Sequence, residues 1–492
     1  MKIDVSRKLP EHIESLVYIH REDEEIKDPD VLGEELLETI ESFCKQENFT
    51  FSLGAISSFT RMVNKKKQVI ILCGAGRKEQ VDSHSLRNNL GNCWREATRQ
   101  KVRQTYLAFG FETQIPDAEL GHLISESALL STYRFDKYRS KVSSHEIQSI
   151  HLIYFAKTNR HLNRGILEGR IYAESTILAR NLVNEPANVM NPEALADHAK
   201  KAALQYGFSI EIHSMDKLKR LKMEALLAVG RGSKSEPKLI IMRYNGIPDK
   251  KSSKTAIIGK GLTFDTGGYS IKPTDGMINM KSDMGGAAAV IGAMTAIASL
   301  KLKVNVVAIV AAAENMISST AYRPGDIITS MAGKTIEVVN TDAEGRLTLV
   351  DAIHYALEKE KADRVLDIAT LTGAAVAALG KDYSAVLGND KDWLALLGKA
   401  ADFTGEKIWQ MPLHLPYKDL IRSEVADMKN SGGRLAGCIT AALFIREFVQ
   451  DKPWIHVDIA GGALRDKPQG IDTYGATGVG VRLLTNLIKN ME

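Results

Sequence analysis

Cysteine is scarce in this sequence. Of 492 residues only Cys44, Cys73, Cys93 and Cys438 are cysteines, and none of them forms a Cys-X-X-Cys pair. Disulfide frameworks and thiolate metal sites use closely spaced cysteines. The spacing therefore predicts neither, and it suits a reducing compartment such as the cytoplasm.

Long apolar runs are missing as well. The longest, such as residues 306–313, have about eight residues, whereas a membrane helix needs about 18 or more. The opening residues, MKIDVSRKLPEH, carry an acid at position 4 and no apolar centre, which is not the pattern of a secretory signal. We therefore expect no membrane partner.

A strong excess of one charge is also absent. The 64 basic and 60 acidic residues leave a net charge of +4, which does not predict nucleic acid or an anionic membrane as the main partner. The segment 94–103, WREATRQKVR, has a basic face that could contact nucleic acid or a neighbouring subunit. An ordinary solvated helix face is the favoured interpretation, so nucleic acid is disfavoured but stays open.

What the chain does contain is typical of a globular protein, with 44% hydrophobic and 25% charged residues. Residues 1–163 are predicted to form a smaller N-terminal α/β domain that serves as a scaffold or in assembly, because no chemical groups cluster there. Its apolar patterns predict strands at 16–19, 69–72 and 150–155 and a helix at 32–43. The charged run at 21–30 is predicted to be a solvated loop.

A connecting helix is predicted at 164–185, followed by a catalytic domain at 186–492. Asn191 and Pro192 mark the start of its first helix as an N-cap and a first helical residue. Strands and helices then alternate, which predicts a mostly parallel, mixed sheet covered by helices on both faces. The predicted strands are 210–212, 239–242, 256–258, 304–311, 336–339 and 365–368, and the predicted helices are 286–298 and 347–357.

Three motifs of the C-terminal domain concentrate carboxylates and lysines. They are GKGLTFDTGG (259–268), NMKSDMGG (279–286) and NTDAEGRL (340–347). Four carboxylates in one pocket would repel each other unless cations neutralised them, and two divalent metals would do so. Carboxylate oxygens suit Mg²⁺, Mn²⁺ or Zn²⁺, and without matching His or Cys a structural zinc cage is not expected. The residues concerned are Lys260, Asp265, Lys272, Asp283, Asp342, Glu344 and Arg346.

Local patterns predict how these side chains meet. A β-branched run predicts a strand at 335–339, after which Asp342 and Glu344, two residues apart, would face the same side. The helical pattern from Leu347 leaves Arg346 at a helix N-terminus, a natural anion site. Since Lys260, Asp342 and residues 370–373 directly follow predicted strands, we expect one shared site beyond the carboxyl ends of the sheet.

These motifs resemble those of the leucyl aminopeptidases, two-metal exopeptidases whose signature is NTDAEGRL. The resemblance also includes SIKP (270–273), DIATLTGA (367–374), RNLVNEPANVMNP (180–192), HVDIAGGA (456–463) and GATGVGVRLL (475–484), and it covers roughly residues 165–490. It implies a metallo-exopeptidase that hydrolyses unblocked peptides, releases N-terminal residues with a leucine-type preference, works in the cytoplasm and forms a homohexamer.

The resemblance also assigns metal ligands. Asp265 and Glu344 are expected to bridge two divalent ions, Mn²⁺ or Zn²⁺ with Mg²⁺ as an alternative, while Asp342 completes one site and Lys260 with Asp283 the other. A lysine ligates only as the neutral amine, so we expect burial and the two dications to depress the pKa of Lys260.

Catalytic and substrate-binding roles follow from the same resemblance. Lys272 is expected to stay protonated and polarise the scissile carbonyl, and Arg346 to hold a bicarbonate that acts as general base toward the activated water. For Met280 a place in the hydrophobic core is an equally good interpretation. The residues expected to contact substrate are Lys272, Asp283, Met280, Asn340, Thr370 and Leu371.

Two other classes of function compete with this reading. Phosphoryl transfer usually brings a GxxxxGK[ST] loop that cradles phosphates, and the sequence has none. The second is a DNA-binding or assembly protein of the same family whose peptidase site is secondary or silent, and this alternative stays open.

Overall fold

The computed structural model describes residues 1–26, 29–141, 146–155, 159–249 and 252–492. The chain forms two compact units, Met1–Glu174 with Asp466–Tyr474, and Ser175–Arg465 with Gly475–Glu492. Each is α/β, which confirms the predicted fold class. The domain limits given above, 1–163, 164–185 and 186–492, stay a prediction.

The first unit contains one mixed sheet with helices on both faces. Its strands are Lys2–Ser6 (β1), Ser15–His20 (β2), Ile56–Val63 (β3), Lys66–Gly74 (β4), Gln104–Phe109 (β5) and Ser149–Ile153 (β6). Its helices are Pro29–Leu32 (α1), Glu34–Gln46 (α2), Ser83–Arg99 (α3), Asp117–Thr132 (α4) and the start of Arg160–Asn184 (α5), within which the unit ends. The strand order is β1-β6-β5-β2-β4-β3, and β3 is antiparallel to β4 while the other neighbours are parallel.

Alternation along the buried strands builds the core of this unit. In β2, Val17 and Ile19 pack toward α3 and α4, whereas Leu16 and Tyr18 pack toward α2. The strands predicted at 16–19 and 69–72 lie within β2 and β4, and the one at 150–155 ends earlier, at Ile153. Of the charged run 21–30, residues 22–25 are exposed as predicted, α1 begins at Pro29, and residues 27–28 lie outside the described residues.

Part of the segment 94–103 makes contacts within the first unit, while Arg99, Lys101 and Arg103 are exposed. Trp94 is fully buried, and its indole N–H donates to Ser127 Oγ at 3.0 Å. Arg95 donates to the carbonyl of Gly470, and Arg99 pairs with Glu96 at 2.7 Å. The helix ends at Arg99, and the interpretation of its basic face as an ordinary solvated surface stays a prediction.

The second unit begins within α5 and contains the larger sheet. Its strands are Ser209–His213 (β7), Lys238–Asn245 (β8), Lys254–Asp265 (β9), Asn305–Asn315 (β10), Ile327–Thr329 (β11), Thr335–Glu337 (β12), Arg364–Ala369 (β13), Ser384–Gly388 (β14), Ile408–Gln410 (β15), Met428–Lys429 (β16), Trp454–Asp458 (β17), Leu464–Arg465 (β18) and Gly475–Ala476 (β19). Its further helices are Pro192–Tyr206 (α6), Met215–Arg220 (α7), Glu224–Gly230 (α8), Thr274–Met277 (α9), Gly285–Leu300 (α10), Gly345–Glu358 (α11), Gly373–Leu379 (α12), Lys391–Thr404 (α13), Gly437–Arg446 (α14) and Val481–Lys489 (α15).

The main sheet has the order β15-β14-β17-β13-β9-β10-β8-β7, and its centre, β17-β13-β9-β10, is parallel. Alternate residues of β9 face opposite ways, with Ile257 toward α6, α10, α13 and α15 and Ile258 toward α8, α11 and α14. This confirms a mixed sheet covered on both faces. The short strands β11, β12 and β16 form a separate sheet, so the strand predicted at 336–339 does not belong to the main one.

Strand β9 is longer than its predicted core at 256–258, and this difference shapes the site. Its pairing with β13 ends at Gly259, opposite Ile368, whereas its pairing with β10 continues to Asp265, opposite Asn315. The second half of β9 therefore extends past the end of β13. The expectation that Lys260 follows the strand was wrong, because Lys260 lies inside β9 but level with the carboxyl end of β13.

Helix α10 packs unusually close to this part of the sheet. A Cβ on Gly286 would lie 2.1 Å from the carbonyl oxygen of Ile368 and 2.9 Å from the amide of Lys260.

Among the described residues, one helical stretch, Thr274–Leu300, is long and apolar enough to cross a membrane. However, 89% of its most apolar window is buried inside the protein, as expected for a core helix.

Candidate metal centre and active site

Four carboxylates are brought together at the carboxyl edge of the main sheet. Asp265 is the last residue of β9, and Asp283 lies in a 3₁₀ turn, Met280–Met284, that leads into α10. Asp342 lies in the turn before α11, and Glu344 is the N-cap residue of that helix. Oxygens of Asp265, Asp342 and Glu344 lie within 4.8 Å of one another.

The geometry around NTDAEGRL differs from the predicted one. Strand β12 ends at Glu337, so Asp342 and Glu344 do not follow directly from a strand; their carboxylates do lie on the same side, as predicted, but a turn places them there. The side-chain oxygen of Asn340 instead accepts the amide N–H of Asp342 at 2.8 Å and closes a tight turn. We call residues 340–346 the signature turn. It turns both carboxylates toward β9, and the predicted helix follows from Gly345.

Lys260 connects Asp283 to the other carboxylates. Its Nζ lies 2.8 Å from both oxygens of Asp283 and 2.9 Å from Glu344 Oε1, and it donates to the carbonyl of Thr370 at 2.9 Å. A Cβ on Gly345 would lie 2.6 Å from Lys260 Cε, so a side chain at this position would push the lysine away from its present place. The lysine is thus fixed among carboxylates rather than exposed to solvent.

Lys272 provides the second ammonium group. Its Nζ lies 3.0 Å from Asp265 Oδ2 and also contacts Asp342 Oδ1. Although burial lowers the pKa of Lys272, the charges of Asp265, Glu344 and Asp342 raise it above its ordinary value. These charges favour the protonated amine, and the expected role of Lys272 toward the substrate stays a prediction.

The charges of the site shift the pKa values of several groups. Burial and the nearby Glu344 raise the pKa of Asp265 to about 6. Burial lowers the pKa of Lys260, but the negative charges of the carboxylates, Asp283 foremost, have the larger effect. The pKa of Lys260 is therefore raised above its ordinary value. The expectation that Lys260 ligates as a neutral amine requires metal charges to reverse this balance, and it stays a prediction.

The donor set fits divalent cations, and their number stays a prediction. Four carboxylates face two lysine ammonium groups, and Glu344 Oε2 is buried without a hydrogen-bond partner in the described part of the chain. An ionised oxygen in that position is costly unless a cation contacts it. Three carboxylates that lie this close repel each other, so their arrangement is favourable only when cations lie between them.

Arg346 lies at the start of α11, as predicted. Burial lowers its pKa to about 10, and its Nη1 donates to the backbone carbonyl of Asn430 at 2.8 Å. Its Nε is buried and has no hydrogen-bond partner among the residues that the structure describes. The guanidinium therefore keeps donor capacity for an anion at a helix N-terminus.

The residues expected to contact substrate surround this centre in different ways. The hydroxyl of Thr370 donates to Asp283 Oδ1 at 2.8 Å, and Leu371 packs partly against the core. Met280 is half-buried and belongs to neither core cluster of the second unit, which disfavours the core interpretation. The side chain of Asn340 closes the signature turn. Direct contact of these residues with substrate stays a prediction.

Sequence reasoning missed two polar residues that hold the site in place. Asn315, at the end of β10, donates to Asp265 Oδ1 at 2.8 Å and to the carbonyl of Thr341 at 3.0 Å. The buried Asp458, at the end of β17, accepts the hydroxyl of Thr372 at 2.7 Å and the amide of Leu371 at 3.0 Å. Both lie at carboxyl ends of central strands, a position that could have singled them out.

Comparison with known proteins gives the family of this chain. Residues 177–485 match the catalytic domain of the cytosol aminopeptidase family, and residues 16–142 match the N-terminal domain of the same family. All five expected metal ligands, together with Lys272 and Arg346, lie within the first match.

Individual relatives cover nearly the whole chain. A probable cytosol aminopeptidase of Clostridium perfringens is 46% identical over 92% of this chain and 93% of its own length, and one of Fusobacterium nucleatum is 41% identical over 94% of both. The solved bottromycin maturation enzyme BotP in complex with Mn is similar with a TM-score of 0.86 and 31% identity, covering 97% of this chain and 99% of that one. The chain belongs to the cytosol aminopeptidase family and is a metal-dependent aminopeptidase, a hydrolase.

Proposed function

We propose that this aminopeptidase releases N-terminal residues, with a leucine-type preference, from peptides whose α-amine is free. The observation that carries the proposal is the group of four carboxylates, three buried and Asp342 partly exposed, around Lys260 and Lys272, beside a buried arginine with an unpartnered Nε. Hydrolysis of an amide needs an activated water and a charge that stabilises the oxyanion, and this donor set can support both.

Asp265 and Glu344 would be shared by two divalent ions. Asp342 would complete the site of one ion, and Lys260 with Asp283 would complete the site of the other. When bound, such ions act as Lewis acids and lower the pKa of a coordinated water toward neutrality. Mn²⁺ is proposed first because the related BotP was solved with Mn, and Zn²⁺ and Mg²⁺ suit the same oxygen-rich set.

The remaining residues are proposed to act on the substrate. Lys272, protonated beside Asp265, would donate to the carbonyl oxygen as negative charge develops on it. Arg346 would hold a bicarbonate that accepts the proton of the attacking water, since its Nε is buried and its charge lies at a helix N-terminus. Met280, Thr370 and Leu371 would line the side-chain pocket, and Asn340 would hold the turn beside it.

Two further expectations accompany the proposal. A cytoplasmic location fits the four cysteines, which are free thiols, and a homohexamer is the assembly that the family resemblance implies. Light scattering of the purified protein measures the assembly directly: a mass near that of six 54.1 kDa chains supports it, and a stable monomer contradicts it.

Blocking the substrate's amine is expected to abolish most of the activity. Asp283 and one ion are proposed to hold the free α-amine. When a substrate leaves the polar groups of such a buried site unpaired, its kcat/KM falls by about 10²-fold or more. The test compares kcat/KM for leucyl anilide and N-acetyl-leucyl anilide in the same preparation. Equal rates on the two substrates would exclude an exopeptidase while leaving a metal-dependent hydrolase possible.

A further inference from the structure

Asn430 is a fully buried asparagine next to the signature turn, outside the motifs that carry the family resemblance. It directly follows β16, whose two residues pair in parallel with Ile336 and Glu337 of β12. Its own amide continues this ladder by donating to the carbonyl of Glu337 at 3.0 Å. The small sheet thus places Asn430 beside the chain that leads from β12 into the turn.

Every polar group of the Asn430 side chain contacts backbone at or next to the signature turn. Its Nδ2 donates to the carbonyl of Asn340 at 2.6 Å and to that of Ala343 at 3.4 Å. Its Oδ1 accepts the amides of Val339 at 2.9 Å and Asn340 at 3.3 Å. Two carbonyls face the amide nitrogen and two N–H groups face the oxygen, so an asparagine in this orientation satisfies all four.

The backbone of Asn430 contacts the other end of the same turn. Its carbonyl oxygen accepts Arg346 Nη1 at 2.8 Å. One buried residue is thus hydrogen-bonded at the entry to the turn, at its middle and at its catalytic arginine. Asp342 and Glu344 lie between these contacts, so their positions depend on the same bonds.

We propose that Asn430 is a positioning residue for the reaction: it fixes the signature turn and thereby the placement of Asp342, Glu344 and Arg346. It contacts neither substrate nor metal in this role. The proposal rests on the proposed function of those three residues. A displacement of about 1 Å in such a group can cost about 10²-fold in rate, so a loosened turn is expected to lower kcat much more than it affects KM.

The test replaces Asn430 with alanine and with aspartate, and uses Asn305→Ala as a matched control. Asn305 is a buried asparagine at the opposite end of β10 from Asn315, and it binds the amide of Ile247 at 3.1 Å and Ser252 Oγ at 2.5 Å. Asn430→Asp keeps the acceptor for Val339 but turns a carboxylate oxygen toward two carbonyls. It serves as the decisive variant if the alanine variant does not fold.

Two readouts are measured on the Mn²⁺-loaded proteins: steady-state kinetics on leucyl anilide, and deuterium exchange of peptides that cover residues 335–346. We expect both Asn430 variants to lose about 100-fold in kcat with KM changed less than about threefold. In Asn430→Ala the amides of Val339 and Asn340 should exchange at least about tenfold faster, because they lose their acceptor. Asn305→Ala should keep kcat and the exchange of this segment, even if its melting temperature falls similarly.

The proposal is overturned if Asn430→Asp, or a folded Asn430→Ala, keeps kcat within about threefold of the parent, or if Asn305→Ala loses as much. Arg346→Ala is measured in parallel to separate the two levels of the account. If that variant keeps full activity, the proposed role of Arg346 fails, whereas the exchange data still decide whether Asn430 fixes the turn.

Discussion

Asp342→Ala is expected to lose bound metal and activity together, whereas Arg346→Ala is expected to keep the metal and lose turnover. Asp342 lies within 4.8 Å of two other carboxylates and contacts Lys272, so its removal takes away oxygens that a cation needs. Loss of a direct ligand should weaken metal affinity by more than the roughly 10–100-fold that supporting residues typically contribute.

Arg346 differs because its guanidinium is a donor that binds no cation. Its Nη1 contacts the carbonyl of Asn430 and its Nε is unpartnered in the described part of the chain. If Arg346 holds the general base as proposed, its removal should cost about 10²–10⁴-fold in kcat, with metal content unchanged. Added bicarbonate should restore little activity, since the alanine variant has no guanidinium to hold the anion.

Metal content per chain and kcat, measured on the same samples, check this pair of expectations. Asp326→Ala is a suitable control because this carboxylate pairs with Arg323 at 3.4 Å, away from the four carboxylates. It should keep both metal and activity. The reverse pattern, with metal lost from the Arg346 variant and kept by the Asp342 variant, would overturn the assignment.

Lys272→Met is expected to lower kcat by about 10²–10³-fold while two ions remain bound. Methionine keeps the approximate length of the side chain but removes the charge that would stabilise the oxyanion. Asp265 and Asp342 also lose the ammonium group that lies beside them. Their negative charges should then need the bound metal more, not less, for neutralisation.

The matched control for this lysine is Lys334→Met. Lys334 Nζ is also half-buried and hydrogen-bonded, at 2.7 Å from the carbonyl of Glu447, but it contacts no carboxylate of the metal centre. Its kcat should stay within about twofold of the parent. If Lys272→Met loses metal in proportion to its activity, Lys272 supports the ligands instead of acting on the substrate.

The grouping of the carboxylates and lysines could be predicted from the sequence because these residues are carried by short, contiguous motifs. Lys260 and Asp265 are five residues apart, and Asp342, Glu344 and Arg346 lie within one turn, so the ligands appear together in the printed sequence. The α/β class was equally accessible, since strands such as β8 and β10 are continuous apolar runs between helical patterns.

The supporting residues could not be found in the same way. Asn430 lies about 90 positions from the turn that it contacts, and Asp458 lies 87 from Leu371. Such pairs meet only because β16 lies beside β12 and β17 beside β13. The length of β9 was missed for a related reason: its second half, from Gly259, mixes glycine, lysine and threonine, and the pairing with β10 keeps it extended.

The most direct test of the account is hydrolysis of leucyl anilide by chelator-stripped protein, before and after Mn²⁺ or Zn²⁺ is returned. Circular dichroism of the stripped protein establishes that it remains folded. The account predicts that activity disappears on stripping and returns with about two ions per chain. Activity that persists without metal, or that no metal restores in folded protein across a panel of unblocked aminoacyl anilides, would contradict it.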